Sequence, residues 1–395
     1  MTRTFKGVGA SALMLAIVIA GCAGPPKKKD EAVFFPPAPA PPRIQYLTSF
    51  TGGKDIEEQS AFRTFVVGEK QERRLDKPYG VGIHDGKIYV CDTNQTVAVF
   101  DLRARTFGAL KGAKGPGKLV QPLNISIEED GTKYVTDPVR GQVVVFDRND
   151  EYLKAYGKPG KWKPVDAVAY EDRLYVADIM NGVIQVFDKK SDEIIKTIGD
   201  KGDPSERLDR PTNLAFDREG SLYVTDVGRF QVVKFDRDGH FQSMIGKLGD
   251  NLGHFSRPRG TAVDRDGRLY AVDASFNNVQ IFNREGRLLL FFGESGNAPG
   301  NLLLPAKVAI DYKNLDYFRK YVQPGFEVEY LILVTSQFGD RMVNILGYGR
   351  EKGKKGPTDE ELLKAIQEKR REELEKLPKT PPAEAGEGKE DQKAQ

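Results

Sequence analysis

The sequence predicts an all-β fold in which six four-stranded antiparallel sheets close into a ring, a six-bladed β-propeller, and three observations carry that prediction. First, a phrase typified by PTNLAFDREGSLYVTDVGRFQVVKFD (211–236) recurs six times. Each copy opens at a proline, namely Pro78, Pro122, Pro164, Pro211, Pro258 and Pro305, spaced by 44, 42, 47, 47 and 47 residues. Second, the apolar runs in each copy are only 4–6 residues long, rich in Val, Tyr and Phe, and separated by turns such as Asp85-Gly86, Asp238-Gly239 and Asp266-Gly267. Short β-prone runs between Asp-Gly dipeptides are the pattern of tight hairpins. Third, the folded span, 43–350, exceeds 300 residues without splitting into domains. A ring allows that, because each blade buries both faces on its neighbours instead of sharing one growing core.

The central strands are IYVCD (88–92), KYVTD (133–137), LYVAD (174–178), LYVTD (222–226), LYAVD (269–273) and a degenerate ILVTS (332–336). The third strands are TVAVFD (96–101), QVVVFD (142–147), VIQVFD (183–188), QVVKFD (231–236), NVQIFN (278–283) and MVNIL (342–346), and fourth strands such as EIIKTIG (193–199) and RLLLFFG (287–293) come after them. The sixth copy supplies three strands only. RIQYLTSF (43–50), a strand pattern with no partner nearby, is expected to be its fourth, removing the two edges an open ring would expose. The propeller then spans 43–350. Between the first two strands of blade 6, NLDYFRKYVQPGFEVEY (314–330) replaces a short turn; Leu315, Phe318, Tyr321 and Val322 have helical spacing, so a short helix over one rim is expected, as a plug or a docking element. Residues 51–77, with an apolar patch at Phe62 to Val67, have no assignment. In the 351–395 region, Thr358 and Glu361 form a capping box behind Pro357, and Leu362, Leu363, Ile366, Leu374 and Leu377 lie along one side of a helix that Pro378 ends. That helix reads as a charged, mobile appendage, or else a partner-docking one, and PPAEAGEGKEDQKAQ after it as disordered.

The recurring P-x-x-[apolar]-A-x-D-x-x-G-x-[LI]-Y-V-x-D-x-x-x-x-x-V-Q-x-F-D phrase resembles the NHL repeat over roughly 78–350. The resemblance implies the propeller and a binding platform or scaffold more often than an enzyme. At the N-terminus, Arg3 and Lys6 precede an apolar run from Gly7 to Ala20 that is too short for a membrane span, and IAGC (19–22) resembles a bacterial lipoprotein signal. Residues 1–21 are then the signal and Cys22 is lipidated. Ala23 stands where an inner-membrane retention signal would have Asp, which implies the outer membrane. The chain is expected to touch the membrane through the lipid anchor alone. Residues 22–42 are rich in Pro and Lys and read as an extended tether, reaching ~60 Å over twenty residues at ~3.1 Å each. Cys91 is the one other cysteine; it reads as an inert buried thiol, and with Cys22 lipidated no internal disulfide forms.

Chemistry is sparse. His84, His240 and His254 fall in different blades and do not converge, there is no C-x-x-C-H, and no phosphate-cradling Gly-rich loop opens a helix. Two residues after each opening proline, the innermost strands carry Gly80, Asn124, Asp166, Asn213, Gly260 and Lys307. Asn124, Asp166 and Asn213 offer adjacent oxygen ligands for a hard cation such as Ca²⁺, which resembles in kind the metal site of gluconolactonase-type propellers without their motifs. The blander account is a polar channel in which Lys307 offsets Asp166, with no cofactor.

The net charge is only +3, from 60 Lys and Arg against 57 Asp and Glu. Strand phase nevertheless gathers the second-to-third-strand loops and the inter-blade loops on one face, which is expected to be basic and to favour an acidic partner. Arg140, Arg229, Arg257 and Arg259 lie there, with Trp162, Phe230 and Phe276 as contact anchors or loop-packing residues. The favoured reading is a non-enzymatic scaffold at the bacterial envelope that engages a protein or anionic partner, and nucleic acid is disfavoured by the secretory signal. The LDYFRKYV insertion and EYLILVTSQFGD strand resemble propeller lipoproteins of metal-reducing bacteria, which suggests multihaem cytochrome complexes as partners. The alternatives are a metal-dependent hydrolase or lyase at Asn124, Asp166 and Asn213, and a cell-wall or polysaccharide-binding module.

Overall fold

The structure, a computed structural model, describes residues 32–58, 73–94, 96–200, 202–204 and 206–376. The signal segment, Cys22, the Phe62 to Val67 patch, Leu377 and the C-terminal tail lie outside the described residues. Among the described residues no helix is long and apolar enough to cross a membrane.

Six antiparallel sheets form the ring. Blade 3 shows the pattern: Pro164–Tyr170 innermost, then Arg173–Asp178, Val183–Asp188 and Ile194–Ile198 at the rim. Because side chains alternate across a strand, each central strand feeds two different cores. Leu174 and Val176 join the cluster shared with blade 2, while Tyr175 and Ala177 join the one shared with blade 4. Six such clusters lie between successive blades, the last joining blade 6 to blade 1 through Leu331, Leu333 and Ile345 against Val81, Ile88 and Val90. The repeat is thus a device for making one two-sided strand per blade.

The predicted closure is present. Ile44–Phe50 pairs antiparallel with Val343–Glu351 of blade 6, with Ile44 opposite Tyr348 and Phe50 opposite Val343. The closure is also wider than the sequence pattern implied. Phe34–Phe35 adds a fifth strand to this sheet, Phe34 packs edge-on against Phe326, and Phe35 lies 6.0 Å from the Phe292 ring. The latter part of the segment read as a free tether is therefore part of the folded ring. Its prolines lie in the turn that returns the chain from Phe35 to Ile44, where the Arg43 N–H donates to the Phe35 carbonyl at 2.8 Å.

In blade 6 the insertion begins with a 3₁₀ helix, Leu315–Tyr321, and Phe318 is buried between blades 6 and 1. It acts as a plug, and the residues after it extend the second strand to Phe326–Ser336. The C-terminal helix α1 (Asp359–Lys376) has the expected cap: the Thr358 N–H donates to Glu361 at 2.7 Å and the Glu361 N–H to the Thr358 hydroxyl at 3.3 Å. The expectation of a mobile appendage is corrected. Leu362 and Ile366 are buried against Leu288–Phe292, the outer strand of blade 5, and Arg268 bonds Asp359 at 2.9 Å.

Candidate functional site

The loop face is held by the aspartates that end the central strands. Asp92, Asp137, Asp178, Asp226 and Asp273 are buried, and each carboxylate accepts backbone N–H groups from the inter-blade loop before it and from its own following turn. Asp226 accepts from Asp209 at 2.7 Å and Arg210 at 3.0 Å on one side and from Gly228 at 3.0 Å on the other. Asp137 and Asp273 repeat the arrangement. A buried carboxylate is tolerated because charge-assisted bonds from several N–H groups replace its water. These residues are staples, and sequence reading registered them only as strand ends.

Their effect is a continuous surface over blades 1 to 3. Arg140 donates to the Lys118 carbonyl at 2.6 Å and the Pro116 carbonyl at 2.8 Å, seating the blade 2 loop on the loop from blade 1. Gly141 lies against Pro159 and Trp162, and the Asn181 amide donates to the Lys161 carbonyl at 3.2 Å. On this surface Lys111, Lys114, Lys118, Lys158, Lys161 and Lys163 are exposed, and the loops 110–121 and 157–163 contain no Asp or Glu. Val120, Val139 and Met180 stand exposed among them. The loop after blade 3 mixes signs, with Asp200, Asp203 and Asp209 beside Arg207 and Arg210, and the loop after blade 5 carries Glu294 and no Lys or Arg.

The predicted anchor residues divide. Arg257 is exposed. Arg140 and Arg229 are clamps, the latter donating to the Arg207 carbonyl in the same phase as Arg140. Arg259 stacks over the Tyr79 ring at 5.7 Å and donates to Gln337 at 2.8 Å, and burial lowers its pKa. Trp162 packs 5.3 Å from Phe187, a loop-packing role. Phe276 and Phe230 are half-buried, and Phe230 holds φ 56° where blades 2 and 3 have Gly141 and Gly182. Phe338, on the same face, is exposed. What sequence reading missed were the acid-free loops and the exposed aliphatic tips, both readable once loop phase is combined with local composition.

At the axis the inner-strand positions converge as expected, and the glycines are required. A Cβ on Gly80 would lie 2.6 Å from Asn124, and one on Gly260 2.5 Å from the Lys307 Cα. Asn124, Asp166 and Asn213 are all buried. Asp166 Oδ1 accepts from the Ala167 N–H at 2.9 Å. Its Oδ2 accepts from the Leu214 N–H at 2.9 Å, the Asn213 amide at 3.4 Å and Lys307 Nζ at 2.8 Å. As the chain stands, these residues do not fit a divalent cation, because a lysine ammonium already sits on the carboxylate. Among the described residues no group of three or more His, Cys, Asp or Glu could hold a metal. Cys91 is fully buried nearby, and burial pushes its thiol well up. His84 and His240 are far apart in the ring, and His240 bonds Asp236 at 2.7 Å.

No family model matches the sequence, and no curated protein matches it. Solved structures do. A catalytically inactive virginiamycin B lyase from Staphylococcus aureus with quinupristin is 15% identical, over 69% of this chain and 94% of that one, with a TM-score of 0.46. A gluconolactonase from Xanthomonas campestris is 16% identical over 80% and 97%, with a TM-score of 0.48. A protein of unknown function from Bacteroides thetaiotaomicron is 14% identical over 76% and 75%, with a TM-score of 0.54. The last likeness bears on fold alone.

Proposed function

We propose that this propeller is a non-enzymatic docking scaffold of a bacterial envelope, anchored through a lipid on Cys22 at the outer membrane, and that its loop face over blades 1 to 3 engages an acidic protein partner. The observation that carries the reading is the pair of acid-free basic loops, 110–121 and 157–163, with exposed Val120, Val139 and Met180 on the same face. Lysines at a rim raise the rate of encounter with an acidic surface, and apolar side chains supply the contact that water leaves on docking. The staples and the Arg140 clamp support it further, because a preorganised surface loses little entropy on binding. At the axis, Asp166 is neutralised by Lys307, which favours the scaffold over the metal-dependent enzyme.

The test is co-purification from envelope extract at low and high salt. Changing Lys111, Lys114, Lys158 and Lys161 to Glu abolishes capture of a stoichiometric partner, whereas Lys190→Glu and Arg218→Glu on the opposite face leave it intact. Capture that is insensitive to both salt and the first set refutes the reading. Metabolic labelling with palmitate, lost in Cys22→Ser, tests the anchor separately.

A further inference from the structure

Asp166 and Lys307 come from the innermost strands of blades 3 and 6, which stand opposite each other in a ring of six. Their side chains are 2% and 8% exposed and meet at 2.8 Å. Among the described ion pairs it is the buried one that crosses the axis; Lys313 to Glu129, which also skips a blade, is exposed. Around it the polar groups are incompletely matched. The Asn124 amide nitrogen, the Asn213 amide oxygen and the Thr225 hydroxyl are buried with no protein partner. One buried carboxylate, flanking amide and hydroxyl groups with unmatched atoms, and glycines packed too closely to admit a Cβ make a polar axis in which the carboxylate calls for a cation.

We propose that the axis is a cation-binding site whose cation is built into the chain. The Lys307 ammonium occupies the place an external ion would take, ties opposite blades together, and leaves the protein indifferent to metal. Shortening Lys307 then leaves space beside Asp166 while keeping that charge buried, which turns the axis into a site for a free cation. A buried carboxylate stripped of its partner is costly, so the free ion restores stability by binding the folded ring alone.

The experiment compares the melting temperature of the full chain, wild type and Lys307→Ala, with and without calcium chloride or ethylammonium chloride, sodium chloride serving as the ionic-strength control. The expected result is a wild type that neither ion moves beyond that control, and a Lys307→Ala ring that melts several degrees lower and recovers at least half the loss with calcium or ethylammonium. Calorimetry should show calcium binding to the variant alone, and the Asp166→Asn, Lys307→Ala double variant should respond to neither ion. Lys313→Ala, which breaks the exposed pair, stays unresponsive. If Lys307→Ala yields no soluble ring, Lys307→Gln is measured in the same way with the same expected calcium response. Wild type that binds calcium as tightly as the variant, or a variant that melts like wild type, or one rescued by neither ion, overturns the proposal.

Discussion

Blades 5, 6 and 1 and blades 2, 3 and 4 are built from the same repeat but meet the outside differently. In the first half every outer strand has a segment from outside the repeat packed on it. Helix α1 lies on blade 5, Phe34–Phe35 and the prolines after it lie on blade 6, and Ile56 and Leu75 pack with Phe107 on blade 1. In the second half, among the described residues, no segment from outside the repeat lies on the outer strands, and blade 2 has only the 115–117 turn of its own inter-blade loop there. The contrast is sharpest at one equivalent position, the bulged residue of the fourth strand: Leu289 in blade 5 is 2% exposed, whereas Ile195 in blade 3 is 50% exposed and Leu153 in blade 2 is 52%. Every described element outside the repeat goes to one half, and the acid-free basic loops lie chiefly over the other. The division separates holding the ring shut from meeting a partner.

The largest expected effect comes from breaking the covered half. Deleting 33–50 removes Ile44, Leu47 and Phe50 from two cores and exposes the pairing edge of Val343–Glu351. The expected outcome is no soluble monomeric ring, checked by size exclusion and circular dichroism. A soluble monomer with a wild-type melting temperature would mean that five complete blades close without the N-terminal strand.

Blade 2 has no such cover, and its interior compensates with a buried polar tie. Lys133 is fully buried and donates to Asp150 at 2.9 Å and to the carbonyls of Gly131 and Asp147; the Tyr89 hydroxyl donates to Asp150 at 2.8 Å. Burial pushes the Asp150 carboxyl up, but Lys133, Tyr89 and Lys87 outweigh it and hold the pKa below its ordinary 3.8. Asp150→Asn keeps a residue that tolerates the φ of 70° found there and strands the ammonium, so a loss of about 3–5 kcal/mol is expected at pH 7. Since the folded pKa is lowered, this contribution is present above the unfolded value and is lost as pH falls through the folded one. Denaturant titrations of wild type and variant should therefore begin to converge as the pH drops past about 3.8 and meet below the lowered folded value. A gap that persists there would assign the loss to packing.

The equivalent-position contrast gives a paired test of smaller size. Leu289→Ala should cost about 2–5 kcal/mol because it empties a site closed by α1. Ile195→Ala should stay within about 0.5 kcal/mol, as for other surface changes. Equal costs would mean that blade 3 is covered in solution.

How much of this was legible turns on the kind of signal each feature leaves. The blade count, the closure by 43–50 and the Thr358 cap depend on local pattern and on phase, and phase also placed Lys307 opposite Asp166. Phe34–Phe35 was hidden by the prolines around it, which read as extended chain whether or not two phenylalanines find aromatic partners. The docking of α1 turns on Leu362 and Ile366 meeting blade 5, a tertiary fact. Arg140 and Arg229 read as surface charge because a guanidinium's partner here is a backbone carbonyl 22 residues away, which leaves no mark on composition.

The smallest expected effect lies in the second half and concerns Phe230. Its φ of 56° falls in the left-handed region, which costs a residue with a side chain roughly 1 kcal/mol or more, and blades 2 and 3 place Gly141 and Gly182 at this turn at φ 68° and 66°. Phe230→Gly relieves the strain but also loosens the unfolded chain, so a net gain of about 0.5–1 kcal/mol is expected. A strained aromatic on the loop face has a reason to persist if it contacts the partner. The same variant should then melt higher and capture less, a combination that a purely structural Phe230 would not produce. A variant that melts lower would show that its ring is needed to pack the loop.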